Sequence, residues 1–317
     1  MEKITIIVPC YNEEKSLMIF FRHMKAVENQ MEQVIFEYLF IDDGSKDQTL
    51  KIIKDIRKRN GNVKYISFSR NFGKEAAIYA GLENATGDYA VIIDADLQDP
   101  PELLPKMFGK MKEEECDSVA ARRVSRKGEP PIRSFFARLF YRVMNKISQV
   151  EIMDGARDYR IMTRRVIEAL LQMKEYNRFS KGMFSWIGFK TEWIEFENVE
   201  RAAGETKWSF WKLFMYALEA FTGFSSAPLY LSSVLGSFMC IISFFAIIFV
   251  IVRQLLFGGS AYGWPSMVCI VIFIGGIQLM CLGISGLYLS KVYLEVKNRP
   301  LYISKEKCLN DITENDI

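Results

Sequence analysis

An apolar run in the stretch DYAVIIDADLQDPP ends in four oxygen-bearing side chains, Asp94, Asp96, Gln98 and Asp99, followed by two prolines. Such an ending suits a helix N-terminus, a solvated loop or a metal site. Along a strand, side chains two apart project to the same side, so Asp94 and Asp96 can aim at one point while Ala95 leaves room. Two hard carboxylates suit Mg²⁺ or Mn²⁺, typically held by one or two protein carboxylates together with substrate phosphates. Asp99, directly before Pro100 and Pro101, reads instead as a helix N-cap. A lone D-x-D is a weak signal, so its surroundings decide.

Those surroundings read as a sheet covered by helices. The runs ITIIVP, FEYLFIDD, VKYISFS, YAVIIDAD and DSVAAR read as strands, separated by helical patterns near residues 14–28, 47–60, 73–85 and 101–114. That alternation predicts a mostly parallel α/β sheet. Ligands of such sheets sit at the carboxyl ends of the strands. Here those ends read PCYNEE, DDGSKD, SRNFGK and DADLQDPP, so the polar residues converge on one edge. Neither G-x-G-x-x-G nor G-x-x-x-x-G-K-[ST] is present, and a phosphate handled without a glycine cradle favours a bridging cation.

The charge map divides the 317 residues into unlike parts. No Asp, Glu, Lys or Arg lies between Ala220 and Val252, and after Arg253 none recurs until Lys291. Each window holds an apolar run long enough for a bilayer, which needs about 20 residues. Lys207 and Lys212 before the first span, and Lys291, Lys297 and Arg299 after the second, put both termini and the sheet in the cytoplasm. Residues 1–9 are too short for a cleavable signal before the first strand. The six cysteines show no C-x-x-C spacing and the single histidine, His23, falls in a helical pattern, which argues against zinc or histidine chemistry. A net charge of +3 does not point to nucleic acid.

Taken together, IIVPCYNEE, IDDGSKDQT, SRNFGKEAAIYAGLENATGD and DADLQDPPELLP resemble the family 2 glycosyltransferases of the GT-A fold. GARDYRIMTRRVIEAL, RFSKGMFSWIGF, ERAAGETKWSFWKLF and EVKNRPLYI resemble more narrowly the polyprenyl-phosphate glycosyltransferases, relatives of dolichol-phosphate mannose synthase and bactoprenol glucosyl transferase. The resemblance covers nearly the whole chain. It implies an inverting transfer of one sugar from a nucleotide diphosphate sugar, UDP-glucose as first guess, to a membrane polyprenyl phosphate such as undecaprenyl phosphate. Pro9, Tyr11, Glu13, Asp42 or Asp43, Arg70, Lys74 and Asp94 fall where the family holds the donor, and Asp94, Asp96 and Gln98 where it holds Mg²⁺ or Mn²⁺. Asp158, in RDYR where the family usually reads D-F-R, is its candidate base. Arg201 and Lys207 match an R-x-x-G-x-[ST]-K element ordered over the phosphates. A homo-oligomer, a tetramer in the family, is also implied.

Charge chemistry refines those roles. A phosphate monoester has its second pKa near 6, so the acceptor is already largely ionised and needs no strong base; Asp158 is therefore expected to orient it. The forked donors of Arg122, Arg126, Arg133 and Arg201 suit the acceptor phosphate. PPIRSFFARLFYRVMNKI sets Arg138, Arg142 and Lys146 on one helix face, as either an interfacial helix or one packed on the sheet. Asp42 and Asp43 before Gly44 also read as turn chemistry. Two departures stand out: Tyr159 in place of Phe, and GLYLSKVY, which lacks a Gly-Glu-Tyr pattern common in bacterial members. A processive polysaccharide synthase would carry a Q-x-x-R-W element and more spans, and a membrane adaptor or lipid carrier would not need the converging carboxylates. The expected division is a catalytic domain over 1–205, a juxtamembrane segment over 206–228, two transmembrane helices over 229–290 and a cytoplasmic tail over 291–317.

Overall fold

The computed structural model describes residues 1–124, 145, 153–197, 225–257 and 263–310. They fall into two compact units. One takes the described residues before 214 together with those from Arg299 onward, and the other lies within Phe214–Asn298.

The first unit begins with β1 (Glu2–Cys10), α1 (Leu17–Gln30), β2 (Val34–Asp42), α2 (Thr49–Arg59), β3 (Val63–Phe68), α3 (Lys74–Asn84) and β4 (Tyr89–Ile92). A 3-10 turn (Pro101–Leu103) leads into α4 (Leu104–Glu113) and β5 (Ser118–Arg123). After β6 (Ala156–Thr163) come α5 (Arg164–Gln172), α6 (Ser180–Trp186) and β7 (Thr191–Phe196). Among the described residues the strands form one sheet in the order β7-β5-β6-β4-β1-β2-β3, closed at its far edge by β8 (Ser304–Cys308).

The central strands β3, β2, β1 and β4 are mutually parallel, whereas β6 runs antiparallel to both β4 and β5, and β8 antiparallel to β3. Buried on both faces, β1 and β2 read as nearly unbroken apolar runs, as parallel strands covered by helices must. Helix α1 buries Leu17, Phe20, Phe21, Met24 and Val27, a spacing of three to four residues that lays one apolar stripe on the sheet. The strand order reverses between β1 and β4, and the crevice beyond their carboxyl ends is where such sheets take ligands.

Three sequence expectations change. β4 ends at Ile92, so Asp94 and Asp96 lie in the turn that follows and not on the pleat; β1 and β6 pair with β4 only as far as Ile92. Asp99 does not cap a helix: its buried carboxylate takes the guanidinium of Arg157, with Nε at 2.7 Å and Nη2 at 3.2 Å. Residues 304–308, inside the stretch set apart as a tail, form a strand. SKEKC carries no apolar alternation because an edge strand faces water and is guarded by charge.

The second unit contains α7 (Ala227–Phe257) and α8 (Trp264–Val296), which pack on one another. Cys281 Sγ lies 3.7 Å from the carbonyl of Ser232, and Tyr288 donates to the carbonyl of Ser225. The segments Ala227–Ala246 and Ile270–Val296 are long and apolar enough to cross a membrane, and neither is buried. The interfacial-helix reading over 130–147 lies outside the described residues apart from Asn145.

Candidate active site

The loops after β1 and β2 are knitted into one rim. Asn12 N–H donates to Ser45 Oγ at 3.0 Å, Lys46 N–H to Asn12 Oδ1 at 2.9 Å, Glu13 N–H to Thr49 Oγ1 at 2.8 Å and Gln48 N–H to Glu14 Oε2 at 3.1 Å. Asn12 adopts a φ of 57°, which asparagine tolerates better than most residues. Gly44 (φ 66°) is required where this rim meets the next loop: a Cβ there would stand 2.5 Å from the carbonyl carbon of Arg70.

Asp42 and Asp43 are buried and turned to internal use. Asp42 accepts from Ser45 N–H at 3.0 Å and Ser67 Oγ at 2.7 Å. Asp43 accepts from the N–H groups of Phe72 and Gly73 at 2.6 and 2.9 Å, ahead of α3. Burial pushes its carboxyl up to about 6, against the pull of those two donors. Asp43 thus fixes the 70–73 loop, and Asp42 ties the turn at Ser45 to β3. Arg70 is exposed and lies over the ring of Phe72 at 4.0 Å.

The antiparallel register of β4 and β6 explains how the central constellation forms. Ile92 pairs with Arg160 as the last pair of the ladder, and just beyond that end Asp94, in the turn after β4, and Asp158, on β6, come to the same lysine. Lys74, the first residue of α3, bridges them, with Nζ 2.7 Å from Asp94 Oδ2 and 2.6 Å from Asp158 Oδ2. Burial disfavours its charge, but the two carboxylates outweigh this and hold the ammonium well above the lysine range. For Asp158, burial acts upward, yet Lys74, Lys181 and Arg157 together hold it well below the carboxylate range.

Lys181 reaches this neighbourhood because Glu75 of α3 clips the start of α6, accepting from the backbone and hydroxyl of Ser180. On the following residues of β6, Tyr159 is fully buried and Arg160 stacks on Phe184 at 3.5 Å, so both serve packing. Tyr159 donates to the carbonyl of Pro101 at 3.3 Å.

The turn from Asp94 to Gln98 is tight. Gln98 N–H donates to Asp96 Oδ1 at 3.1 Å, and Leu97 takes a φ of 60°. For a non-glycine residue this costs about 1–2 kcal/mol, the kind of strain that persists where a turn must present particular groups. Among the described residues no group of three or more His, Cys, Asp or Glu side chains makes a metal cage. Asp94 and Asp96 do provide two half-buried carboxylates beside the strand-order crevice. That donor set fits a hard cation whose remaining ligands are phosphates and water.

Of the other donor residues, Tyr11 is 42% exposed at the crevice end of β1, Pro9 is half-buried, and Glu13 accepts from Ser16 Oγ at 2.5 Å. Arg122 lies on β5, where it donates to the carbonyl of Asp154 at 3.1 Å and to Glu195 at 3.2 Å. Arg126, Arg133, Arg201 and Lys207 lie outside the described residues. Sequence reasoning missed the bridging role of Lys74 and the presence of Lys181. The missing signal is β6, whose charged residues hide its strand character.

Residues 5–171 match the model of glycosyl transferase family 2. The chain belongs to that family. It is 39% identical over 305 residues to the bactoprenol glucosyl transferase of Shigella phage SfX, covering 96% of this chain and 99% of that one. It is 44% identical over 303 residues to CsbB of Bacillus subtilis (strain 168), whose name carries only the word glycosyltransferase, with 96% of this chain and 91% of that one covered. Among solved structures, a mannosyltransferase from Pyrobaculum calidifontis in complex with GDP-Man and Mn²⁺ is similar over 91% of this chain and 87% of its own, at 14% identity and a TM-score of 0.46. That likeness is too distant to bring a ligand or a metal across. The mostly parallel sheet with a strand-end crevice is the GT-A arrangement expected of the family.

Proposed function

We propose that this family 2 enzyme transfers a single sugar, with inversion, from a nucleotide diphosphate sugar to a polyprenyl phosphate in the cytoplasmic membrane. UDP-glucose is the first donor to test and undecaprenyl phosphate the first acceptor. The observation that carries the reading is the Asp94–Lys74–Asp158 bridge beside the β1/β4 crevice. The near full-length similarity to a bactoprenol glucosyl transferase supports the acceptor.

In this reading Pro9, Tyr11 and Glu13 border the nucleoside, while Asp42 and Asp43 act through the loops they fix. Asp94 and Asp96, with Gln98 beside them, are the residues that would hold Mg²⁺ or Mn²⁺. Such a cation supplies Lewis-acid stabilisation of the charge that develops on the departing nucleotide diphosphate. Arg70 and Lys74 add positive charge on the donor side, and Arg201 and Lys207 approach from the other part of the chain. An acceptor phosphate oxygen bonds to the anomeric carbon from the face opposite the leaving group, as the bond to the nucleotide diphosphate oxygen breaks. Asp158, kept ionised by Lys74, Lys181 and Arg157, orients the acceptor through its cationic neighbours. Arg122, Arg126, Arg133 and Arg201 are its phosphate ligands.

The basic flanks of the two apolar helices support a topology with both termini and the catalytic domain on the cytoplasmic side. In this reading the chain divides into a catalytic domain to about 205, completed by the strand at Ser304–Cys308, a juxtamembrane segment to 228 and two spans to 290, and it assembles into a homo-oligomer, a tetramer being the first state to test. The test uses purified full-length protein with UDP-glucose, UDP-galactose, UDP-N-acetylglucosamine and GDP-mannose. Nucleotide diphosphate release should require both polyprenyl phosphate and a divalent cation, and the lipid product should carry one sugar. Release independent of the lipid, or a sugar polymer, would contradict the proposal.

A further inference from the structure

The chain returns to the sheet after α8 and closes on one particular loop. β8 pairs with β3 from Tyr65↔Cys308 to Phe68↔Ser304, with an irregularity between Ser67 and Phe68. The ladder is extended by Ser69 N–H donating to the carbonyl of Ile303 at 2.9 Å. Lys54 Nζ lies 2.8 Å from Glu306 Oε2, and Tyr65 also donates to Glu306. Arg57 Nη2 donates to the carbonyl of Asn310 at 2.8 Å.

Tyr302 connects this return to the upper edge. Its ring stacks on Phe68 with centroids 4.8 Å apart and planes at 23°, and Phe68 meets Phe72 edge-on at 5.8 Å and 89°. The guanidinium of Arg70 covers the other ring of that chain, Phe72, at 4.0 Å. The Tyr302 hydroxyl donates to Glu83 Oε2 at 2.6 Å, at the far end of the helix that begins with Lys74. One residue of the returning segment therefore touches the strand before the 69–73 loop and the helix after it. The same loop is held from the other side by Asp43 and by its close approach to Gly44.

We propose that residues 299–308 are a positioning strap for the nucleotide diphosphate, with Tyr302 acting through the Phe68–Phe72–Arg70 stack. The proposal rests on the reading of the strand-end crevice as the donor site. It makes donor affinity depend on chain that follows the apolar helices, a dependence that the carboxylates of the crevice alone would not create. Tyr302 is a positioning residue; it does not touch the reacting atoms.

The test is calorimetric binding of UDP or GDP, whichever wild type binds more tightly, to the full-length protein and to Tyr302→Ala, Tyr302→Leu and Tyr302→Phe. Donor KM and kcat are measured alongside. Loss of the ring should weaken nucleotide binding and raise donor KM about tenfold, the scale of one aromatic pair, with kcat within about twofold. Tyr302→Leu keeps the apolar volume and guards against collapse of the Ala variant. Tyr302→Phe keeps the stack and should restore wild-type affinity. Unchanged nucleotide affinity in a folded Ala or Leu variant overturns the strap, and so does a Phe variant as weak as Ala. A wild-type protein that binds neither nucleotide overturns the donor-site reading itself, and with it the strap.

Discussion

The two ends of the same sheet carry lysine–carboxylate clusters of opposite construction. Toward the strand starts, Glu37 is buried between two lysines, Lys3 Nζ at 2.7 Å and Lys64 Nζ at 2.8 Å, and also accepts from Thr5 and Thr86. At the strand ends, one lysine serves two carboxylates, Asp94 and Asp158, and is 41% exposed. The lower cluster saturates a single negative charge with donors, which is the condition for keeping a buried charge. The upper cluster gathers carboxylates around one ammonium, leaving acidic oxygen ligands where an added cation can be held. One end is saturated and buried; the other keeps its lysine partly exposed.

Substitutions can break or sharpen this contrast, and transfer should respond in descending order. Asp94→Asn should lower sugar transfer by about 10²-fold or more, the scale of losing one preorganised charge stabiliser, with Tm little changed. Near-normal turnover at limiting Mg²⁺ or Mn²⁺ would remove Asp94 from the metal site. Lys74→Met leaves two carboxylates facing each other and should cost transfer roughly tenfold, with Lys74→Arg recovering part of it because the positive charge returns. Equal loss in both variants would mean that the shape of lysine, and not its charge, matters.

Asp158→Asn should cost less than Asp94→Asn. Because Asp158 is held ionised well below the usual range, it is a weak base. Its variant should show a constant deficit from about pH 6.5 to 8.5, where the acceptor is already largely ionised. A steep recovery as pH rises would instead indicate base catalysis.

Glu37→Gln should leave transfer unchanged and act on stability alone. Burial raises the Glu37 carboxyl, but Lys3, Lys64, Thr86 and Thr5 outweigh it and bring it from 4.5 down to about 2. A lowered carboxylate contributes stability above its unfolded value that is lost as pH falls toward its folded one. That contribution is about 3 kcal/mol, lost between about pH 4.5 and 2. Denaturant unfolding at several pH values should show the wild-type slope flattened in Glu37→Gln, and an unaltered slope would contradict the assignment.

The contrast was only half legible in the sequence. Alternating apolar runs revealed β1 to β5 and their helices, because strands buried on both faces must be apolar. The apolar windows likewise revealed both long helices. β6 and β8 were hidden because ARDYRIMT and SKEKC carry charges that tertiary partners neutralise: Arg157 by Asp99, and Glu306 by Lys54. Without β6 the pairing with β4 that brings Asp158 near the end of β4 could not be read, so the residues were visible while their meeting at Lys74 was not. Asp99 misled for a related reason. Two prolines make a persuasive helix start, but a buried aspartate follows the nearest guanidinium.

The most direct test is calorimetric titration of UDP, with and without Mn²⁺, into wild type, Asp94→Asn and Glu37→Gln. Mn²⁺ should tighten UDP binding at least about tenfold in wild type and in Glu37→Gln, and that increment should vanish in Asp94→Asn, where a charged oxygen ligand is lost. An equal increment in all three proteins would contradict the division of the sheet into a saturated stabilising end and a metal-accepting end.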